Sequence, residues 1–581
     1  MIKTLMKSVR EYKNAALLTP LFVIGESVME CILPFLVAKL VNHLQAGSDM
    51  SVVRHYGMVL IVMAVLSLIF GGLAGTFAAR ASAGFAKNLR HDLFVSVQNF
   101  SFENIDKFSA ASLVTRMTTD VTNVQTSFMM IIRTAIRAPL MIIFSFTMAF
   151  IMGGKLALFF LFTIPIMGLG LVWITKKTMP LFRSVFRKYD NLNNSIQENI
   201  SGIRVVKSFV REDEEERKFK VAADDVMKDF TQAEKILALN TPLMQFCVYS
   251  AMVFTMTIGS WIIISTSGAN LNVGQLSSML TYSFQVLMSL MMLSMIFVML
   301  TLSIESAERI VEVLDEKPTM TNPENPLYDV PDGSIEFEDV SFKYSAKADR
   351  NALDHVTLSI KSGETVGIIG GTGSSKSSLI QLISRLYDVT EGQVLVGGHD
   401  VREYDIAALR DQVAVVLQKN VLFAGSIKDN LRWGKKDATD EEIIEACKLA
   451  CADEFIDLMP DGYNTHITQG GTNVSGGQKQ RLCIARALIK KPKVLILDDS
   501  TSAVDTKTDA KIRAGFRSFI PETTKIIIAQ RIASVQDADK IIVMNNGAID
   551  AIGTHDELLE SNEIYREVYT SQNRAEVKGD A

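Results

Sequence analysis

Cysteine is scarce: five residues in 581, at positions 31, 247, 447, 451 and 483. No spacing among them matches a metal set. Cys447 and Cys451, four apart on an expected helix, read as small buried hydrophobes. A disulfide framework is excluded, and a reducing cytoplasm fits the second half. Basic excess is missing too. Lys and Arg number 59 against 64 Asp and Glu, a net charge of −5. Bulk charge therefore gives no reason to expect nucleic-acid binding. The N-terminus, MIKTLMKSVREYKN, is basic, but the segment after it is too long and too acidic for a cleaved signal peptide.

Long apolar runs are plentiful, and nearly all lie in the first 310 residues. The length alone implies two or more units. Six stretches are long and apolar enough to cross a bilayer: 16–41, 57–79, 128–152, 156–175, 239–266 and 275–303. Cations alternate between their connections. Lys3, Lys7, Arg10 and Lys13 precede the first span, and Arg80, Lys87, Arg90, Lys107 and Arg116 follow the second. Lys176, Lys177, Arg183, Arg187, Lys188, Arg204, Lys207 and Arg211 follow the fourth. The connections 42–56, 153–155 and 267–274 hold almost none. The positive-inside rule then places both termini in the cytoplasm. The long connections after spans two and four are charged and helix-periodic. They read as helices running out of the membrane and back, with tips near 104–116 and 201–211.

Some intramembrane side chains stand out. Glu26 and Glu30 share one face of span one, and Arg133 and Arg137 share one face of span three. Buried acids in a membrane face the protein interior or a watery cavity. A helix–helix ion pair and a site for a polar or cationic substrate are both open readings. Span six carries Met279, Met288, Met291, Met292, Met295 and Met299. They suit either an adaptable ligand surface or ordinary packing.

The second half reads as an α/β nucleotide-binding domain. Residues 314–332 hold Pro318, Pro323, Pro326 and Pro331 and read as a linker. An alternating strand pattern then runs to Tyr344, which could stack on a base or simply belong to the sheet. Next come strand, glycine loop and helix. Gly370, Gly371, Thr372, Gly373, Ser374, Ser375, Lys376, Ser377 and Ser378 fit the P-loop pattern, except that Ser375 replaces the glycine before the lysine. Backbone N–H groups and a helix N-terminus attract phosphate there. Lys376 would reach the β- and γ-phosphates and Ser377 would bind Mg²⁺. Gln418 ends an apolar run, within reach of a metal or its water. Ser475, Gly476, Gly477 and Gln478 open a second helix that suits an anion. One nucleotide rarely needs two such ends, which points to a head-to-tail dimer. The buried run from Val494 to Leu497 delivers Asp498, followed at once by Asp499.

Six spans followed by these motifs resemble a half-transporter of the ABC exporter family, over residues 1 to about 575, and the SGGQ at 475–478 is the most specific element. The resemblance implies an all-α membrane domain of six helices (1–313), the linker (314–332), an α/β P-loop ABC domain (333–575) and a tail (576–581). It makes Tyr344 the adenine-stacking aromatic, 370–378 the Walker A loop, Gln418 the Q-loop glutamine, Asp498 the Walker B aspartate and magnesium ligand, and 500–505 the D-loop. The hairpin tips become coupling helices. The cofactors implied are ATP and Mg²⁺, in a bacterial cell membrane.

Two departures carry information. The family's catalytic base is a glutamate where this chain has Asp499, and its switch histidine is here Gln530. Asp499 is one methylene short, and a misplacement of about 1 Å costs on the order of 100-fold. Gln530 neither gains nor loses a proton near neutral pH. The pattern is similar to the degenerate-site subunit of heterodimeric bacterial multidrug exporters. Its partner would be a different half-transporter carrying the missing Glu and His, and its cargo drugs, lipids or other small amphipathic compounds. No appended peptidase or large extracellular domain is read here, which points away from bacteriocin export. A homodimeric lipid or peptide exporter and an ATP-regulated importer subunit are the alternatives.

Overall fold

The computed structural model describes residues 1–345, 348–500 and 503–579. The chain divides into two compact units, Met1–Gln98 with Ser109–Glu316, and Asn99–Phe108 with Lys317–Ala581.

The first unit is helical. Its main helices are Lys13–Gln45, Met50–Gln98, Val121–Ile132, Thr134–Gly153, Phe160–Ser201, Glu212–Leu237, Asn240–Ser265 and Val273–Asp315. In lipid every backbone polar group must be satisfied within the element, so long apolar stretches become helices. Hydroxyls inside them bond back one turn: Thr19 to the Ala15 carbonyl, Ser27 to Val23 and Ser283 to Met279. Where the first and last helices cross, Gly274 lets the backbones meet. A Cβ there would lie 2.1 Å from the Ala38 carbonyl oxygen. Met50–Gln98 has 49 residues, about 74 Å of helix against a hydrocarbon core of about 30 Å. The outgoing leg of the first expected extension is therefore one continuous helix, whereas the returning stretch is divided among shorter helices such as Val121–Ile132 and Thr134–Gly153.

Among the described residues, five helical runs are long and apolar enough to span: Ile2–Gln45, Met50–Gln98, Ala110–Phe159, Glu212–Ser265 and Val273–Asp315. Six spans were expected. The remaining stretch, 156–175, straddles a 3₁₀ turn, Gly154–Phe159, and the start of the helix Phe160–Ser201. The side chain of Leu161 there lies outside the described residues.

Among the described residues, the second unit holds twelve strands: β1 Ile335–Phe342, β2 Leu353–Ile360, β3 Thr365–Gly370, β4 Glu391–Val396, β5 His399–Asp400, β6 Val413–Val416, β7 Gly425–Ser426, β8 His466–Ile467, β9 Val494–Asp498, β10 Thr524–Ile528, β11 Lys540–Asn545 and β12 Ala548–Gly553. The central sheet runs β12-β11-β3-β10-β9-β6. It is parallel from β11 to β6, and only β12 is antiparallel. All five residues of β9 and of β10 are buried, as expected of parallel strands covered on both faces. A smaller sheet, β2-β1-β4-β5, and the pair β7-β8 complete the unit. The strand expected to reach Tyr344 ends at Phe342. Tyr344 lies in the following loop, where its side chain is released from the alternation of the sheet. The short helix Phe102–Phe108 belongs to this unit although it lies within the first half of the sequence.

Candidate functional site

Parallel sheets place their sites at the carboxyl ends of the strands. Here β3 ends in Gly370, β9 in Asp498 and β10 in Ile528, with Asp498 and Ile528 in register. Asp499 and Gln530 therefore emerge side by side, and the Asp499 N–H donates to the Ile528 carbonyl at 3.0 Å. Gln418 emerges two residues past the end of β6.

The glycine loop turns from β3 into the helix Lys376–Ile383. Gly373 takes φ +83°, and nothing lies within 4 Å of where its Cβ would be, nor of Gly371's. Thr372 is exposed. Lys376 Nζ donates to the carbonyls of Gly370 (2.9 Å) and Gly371 (2.8 Å), with buried Ser374 Oγ at 3.3 Å. Burial lowers the Lys376 pKa, against the attraction of Asp498 and Asp499. Ser375 holds φ +70°, ψ 25°. That left-handed geometry suits glycine, and a side chain there costs about 1 kcal/mol.

Ser377 Oγ donates to Asp498 Oδ1 at 3.2 Å. Asp498 is buried, and its pKa is raised by that burial and by Asp499, against Ser377 and Lys376. A hydroxyl beside one buried carboxylate suits Mg²⁺, which takes one or two protein oxygens and fills the rest with phosphate and water. No cluster of three or more metal-ligating His, Cys, Asp or Glu occurs among the described residues, as such a site requires no protein cage.

Asp499 sits at φ +48°. Its Oδ2 accepts from Gln530 Nε2 at 2.8 Å and from Gln418 Nε2 at 3.5 Å. Burial raises its pKa, and the two amides, with Lys376 and Arg531, oppose the rise. Gln418, expected as a metal ligand as well as part of the catalytic set, directs its amide nitrogen at Asp499.

Tyr344 donates to Gln381 Oε1 (2.9 Å) and pairs with Ser378 Oγ (2.9 Å). It is edge-on to Phe342 and to Tyr387, with centroids 4.8 and 5.2 Å apart.

Ser475 caps the 13-residue helix Gly476–Leu488. Its Oγ accepts from the Gln478 N–H at 3.2 Å, and Gln478 Oε1 accepts from the Ser475 N–H at 2.9 Å. A Cβ on Gly477 would lie 2.8 Å from the Ala503 carbonyl oxygen, and one on Gly476 3.5 Å from the Ala503 Cβ. Gln480 Oε1 accepts from the Ala503 N–H at 3.0 Å. This helix thus packs on the segment after Asp499. Among the described residues, no hydrogen bond joins 475–478 to 370–378. Of the 500–505 segment, Thr501 and Ser502 lie outside the described residues, and Asp505 caps the helix Thr506–Phe519.

Sequence reasoning missed Gln572. Its Nε2 donates to the Gln530 carbonyl at 2.8 Å and its Oε1 accepts from the Ile532 N–H at 2.9 Å. It lies on the last helix, Glu563–Gly579, 42 residues from Gln530, where no local pattern marks it.

In the helical unit, Arg137 bridges both acids of the first helix, Glu26 Oε1 at 3.2 Å and Glu30 Oε1 at 2.7 Å. Glu26 Oε2 is buried without a partner. Glu30, Arg137 and Gln285 line a cavity of about 1230 Å³ with Phe284, Met288, Met291, Met292, Met295 and Met299. Met279 is instead buried in helix packing.

Residues 17–290 match the ABC transporter transmembrane region family and residues 353–502 the ABC transporter family. An uncharacterized ABC transporter ATP-binding protein of Bacillus subtilis, YfiB, is 37% identical over 563 residues, 97% of each chain. An uncharacterized ABC transporter ATP-binding protein of Mycobacterium tuberculosis, Rv1273c, is 34% identical over 584 residues, covering 100% of this chain and 99% of its own. The structure of a bacterial Atm1-family ABC exporter with ATP bound superposes with TM-score 0.81 at 24% identity, over 97% of this chain and 98% of that one. It shares the fold. Membrane helices followed by a P-loop sheet with an SGGQ-capped helix, matched end to end by these relatives, make this chain a member of the ABC transporter family.

Proposed function

We propose that this chain is one subunit of a heterodimeric ATP-driven exporter of small amphipathic compounds in a bacterial cell membrane, and that its own nucleotide site is the slow one. The observation that carries the reading is the Asp499 carboxylate held by the Gln530 amide at 2.8 Å. Hydrolysis needs a group that orients water in line with the γ-phosphate. A short acid already hydrogen-bonded to two amides is poorly placed for that task.

ATP would lie along 370–378, with loop N–H groups on its phosphates and Lys376 exchanging its carbonyl partners for phosphate oxygens. Ser377 and Asp498 would hold Mg²⁺, which supplies charge compensation for the phosphates. Tyr344 would stack on the base. Gln530 would choose between Asp499 and the γ-phosphate. The 475–478 segment would complete the partner's nucleotide site, where hydrolysis resets the dimer. The methionine-lined cavity suits a flexible apolar body, and Glu30, Arg137 and Gln285 offer polar contacts for its head.

Two measurements test the assignment together. Purification of the tagged chain from native membranes should recover a second half-transporter with Glu and His at the positions of Asp499 and Gln530. Inside-out vesicles should then accumulate a fluorescent amphipath on ATP addition. Recovery of the chain only with itself sinks the heterodimer, and ATP-dependent release from the vesicles sinks export.

A further inference from the structure

The helix Phe102–Phe108, the tip of the first cytoplasmic hairpin, is fastened to the nucleotide-binding unit in two chemically different ways. One fastening is to the linker backbone. Asn104 Nδ2 donates to the Lys317 carbonyl (3.1 Å), Asn104 Oδ1 accepts from the Thr319 N–H (3.3 Å), and Ser101 Oγ accepts from the Met320 N–H (2.9 Å).

The other leads to the glycine loop. Tyr387, 9% exposed, donates its hydroxyl to Asp106 at 2.6 Å. Its ring meets Phe102 and Phe342, at 6.2 and 5.6 Å between centroids, and stands edge-on to Tyr344 at 5.2 Å and 87°. Tyr344 spends its proton on Gln381 Oε1, so its oxygen accepts from Ser378 in the helix of the glycine loop. A cavity of about 120 Å³ lined by Glu103, Tyr344, Tyr387 and Asp388 leaves room on the hairpin side. That is space for a few waters, so a ring can shift without breaking the packing.

We propose that Tyr387 is a positioning residue that carries nucleotide occupancy from Tyr344 to Asp106, and so to the membrane hairpin. The inference rests on the assignment of 370–378 and Tyr344 to nucleotide binding. It does not depend on the partner's identity, the direction of transport or the slow site. A nucleotide that takes the Ser378 hydroxyl and stacks on Tyr344 breaks the Ser378–Tyr344 bond. The Tyr344 ring then moves against the face of Tyr387, and the Tyr387 hydroxyl, tied to Asp106, moves the tip. The Asn104 fastening stays in place as the pivot.

Hydrogen–deuterium exchange on the full-length chain in lipid nanodiscs, with and without Mg-ATP, tests this, with ATP affinity measured in parallel. In the wild type, ATP should change the exchange of the peptide covering 99–108 as well as that covering 370–378. Tyr387→Phe keeps the ring and loses the Asp106 bond. It should bind ATP within about threefold of wild type, keep the change at 370–378 and lose the change at 99–108. With Tyr387 intact, Asp106→Asn retains an acceptor oxygen and should keep the response at 99–108, whereas Asp106→Ala should lose it. An unchanged ATP response at 99–108 in Tyr387→Phe overturns the inference, as does a wild-type tip indifferent to ATP. Failure of ATP to alter 370–378 in the wild type contradicts the nucleotide-site assignment itself.

Discussion

On the proposed reading, Asp499 stands one methylene short of a catalytic glutamate, and Gln530 puts an amide where an ionisable histidine ring would be. The two changes meet in one hydrogen bond of 2.8 Å. They should therefore be coupled rather than additive. Were the missing methylene the whole defect, Asp499→Glu would raise turnover at this site on the order of 100-fold. The amides predict a much smaller rise for Asp499→Glu alone and a larger one for Asp499→Glu with Gln530→His. Single-turnover ATPase measurements on the assembled transporter check both. Burial raises the pKa of Asp498 and of Asp499, so protonation begins at milder acidity than for ordinary carboxylates. A protonated Asp498 is a poor cation ligand, and Mg-ATP affinity should fall as pH is lowered toward that raised range. Binding titrations across neutral to acid pH show it, and Asp498→Asn should flatten the slope. Stability carries the opposite sign. The folded state takes up these protons more readily than the unfolded chain, so the nucleotide-free protein loses stability as pH rises through that range.

The helix Gly476–Leu488 and the segment after β9 interlock through Gly477 and Ala503. Gly477→Ala places a methyl 2.8 Å from a backbone carbonyl, so the segment must move. The expected result is a large loss of the assembled transporter's ATPase with little change in ATP binding at this chain's own loop. ATP-affinity and turnover measurements on one preparation separate the two. Much at this scale was legible in the sequence. Strand, glycine loop and helix, the acid-ended β9 and the helix opening at Ser475 are all local patterns, written in consecutive residues. What was not legible is long-range. Tyr387 and Asp106 are 281 residues apart, and only folding brings them together. Gln572 likewise carries no signature, because one amide reaching two backbone groups leaves no periodicity. A hairpin tip was expected near 104–116; the helix Phe102–Phe108 only overlaps the start of that stretch, and its grip on the linker backbone left no local pattern. Tyr344 was placed one element too early, since alternation continues past the last ladder pair.

For the molecule as a whole, two kinds of chemistry are kept in separate units. One holds a methionine-walled cavity with an ion bridge among helices. The other gathers a lysine, a buried aspartate and an amide-bound aspartate at the carboxyl ends of its parallel strands. In the chain alone, two copies of the same slow site would face each other. In the heterodimer, the 475–478 segment would serve a partner with a glutamate. The most direct measurement is the steady-state ATPase rate of the purified full-length chain, alone and with Asp499→Asn. The account predicts ATP binding with little turnover, and little change on substitution. Vigorous hydrolysis by the chain alone that Asp499→Asn abolishes would contradict it.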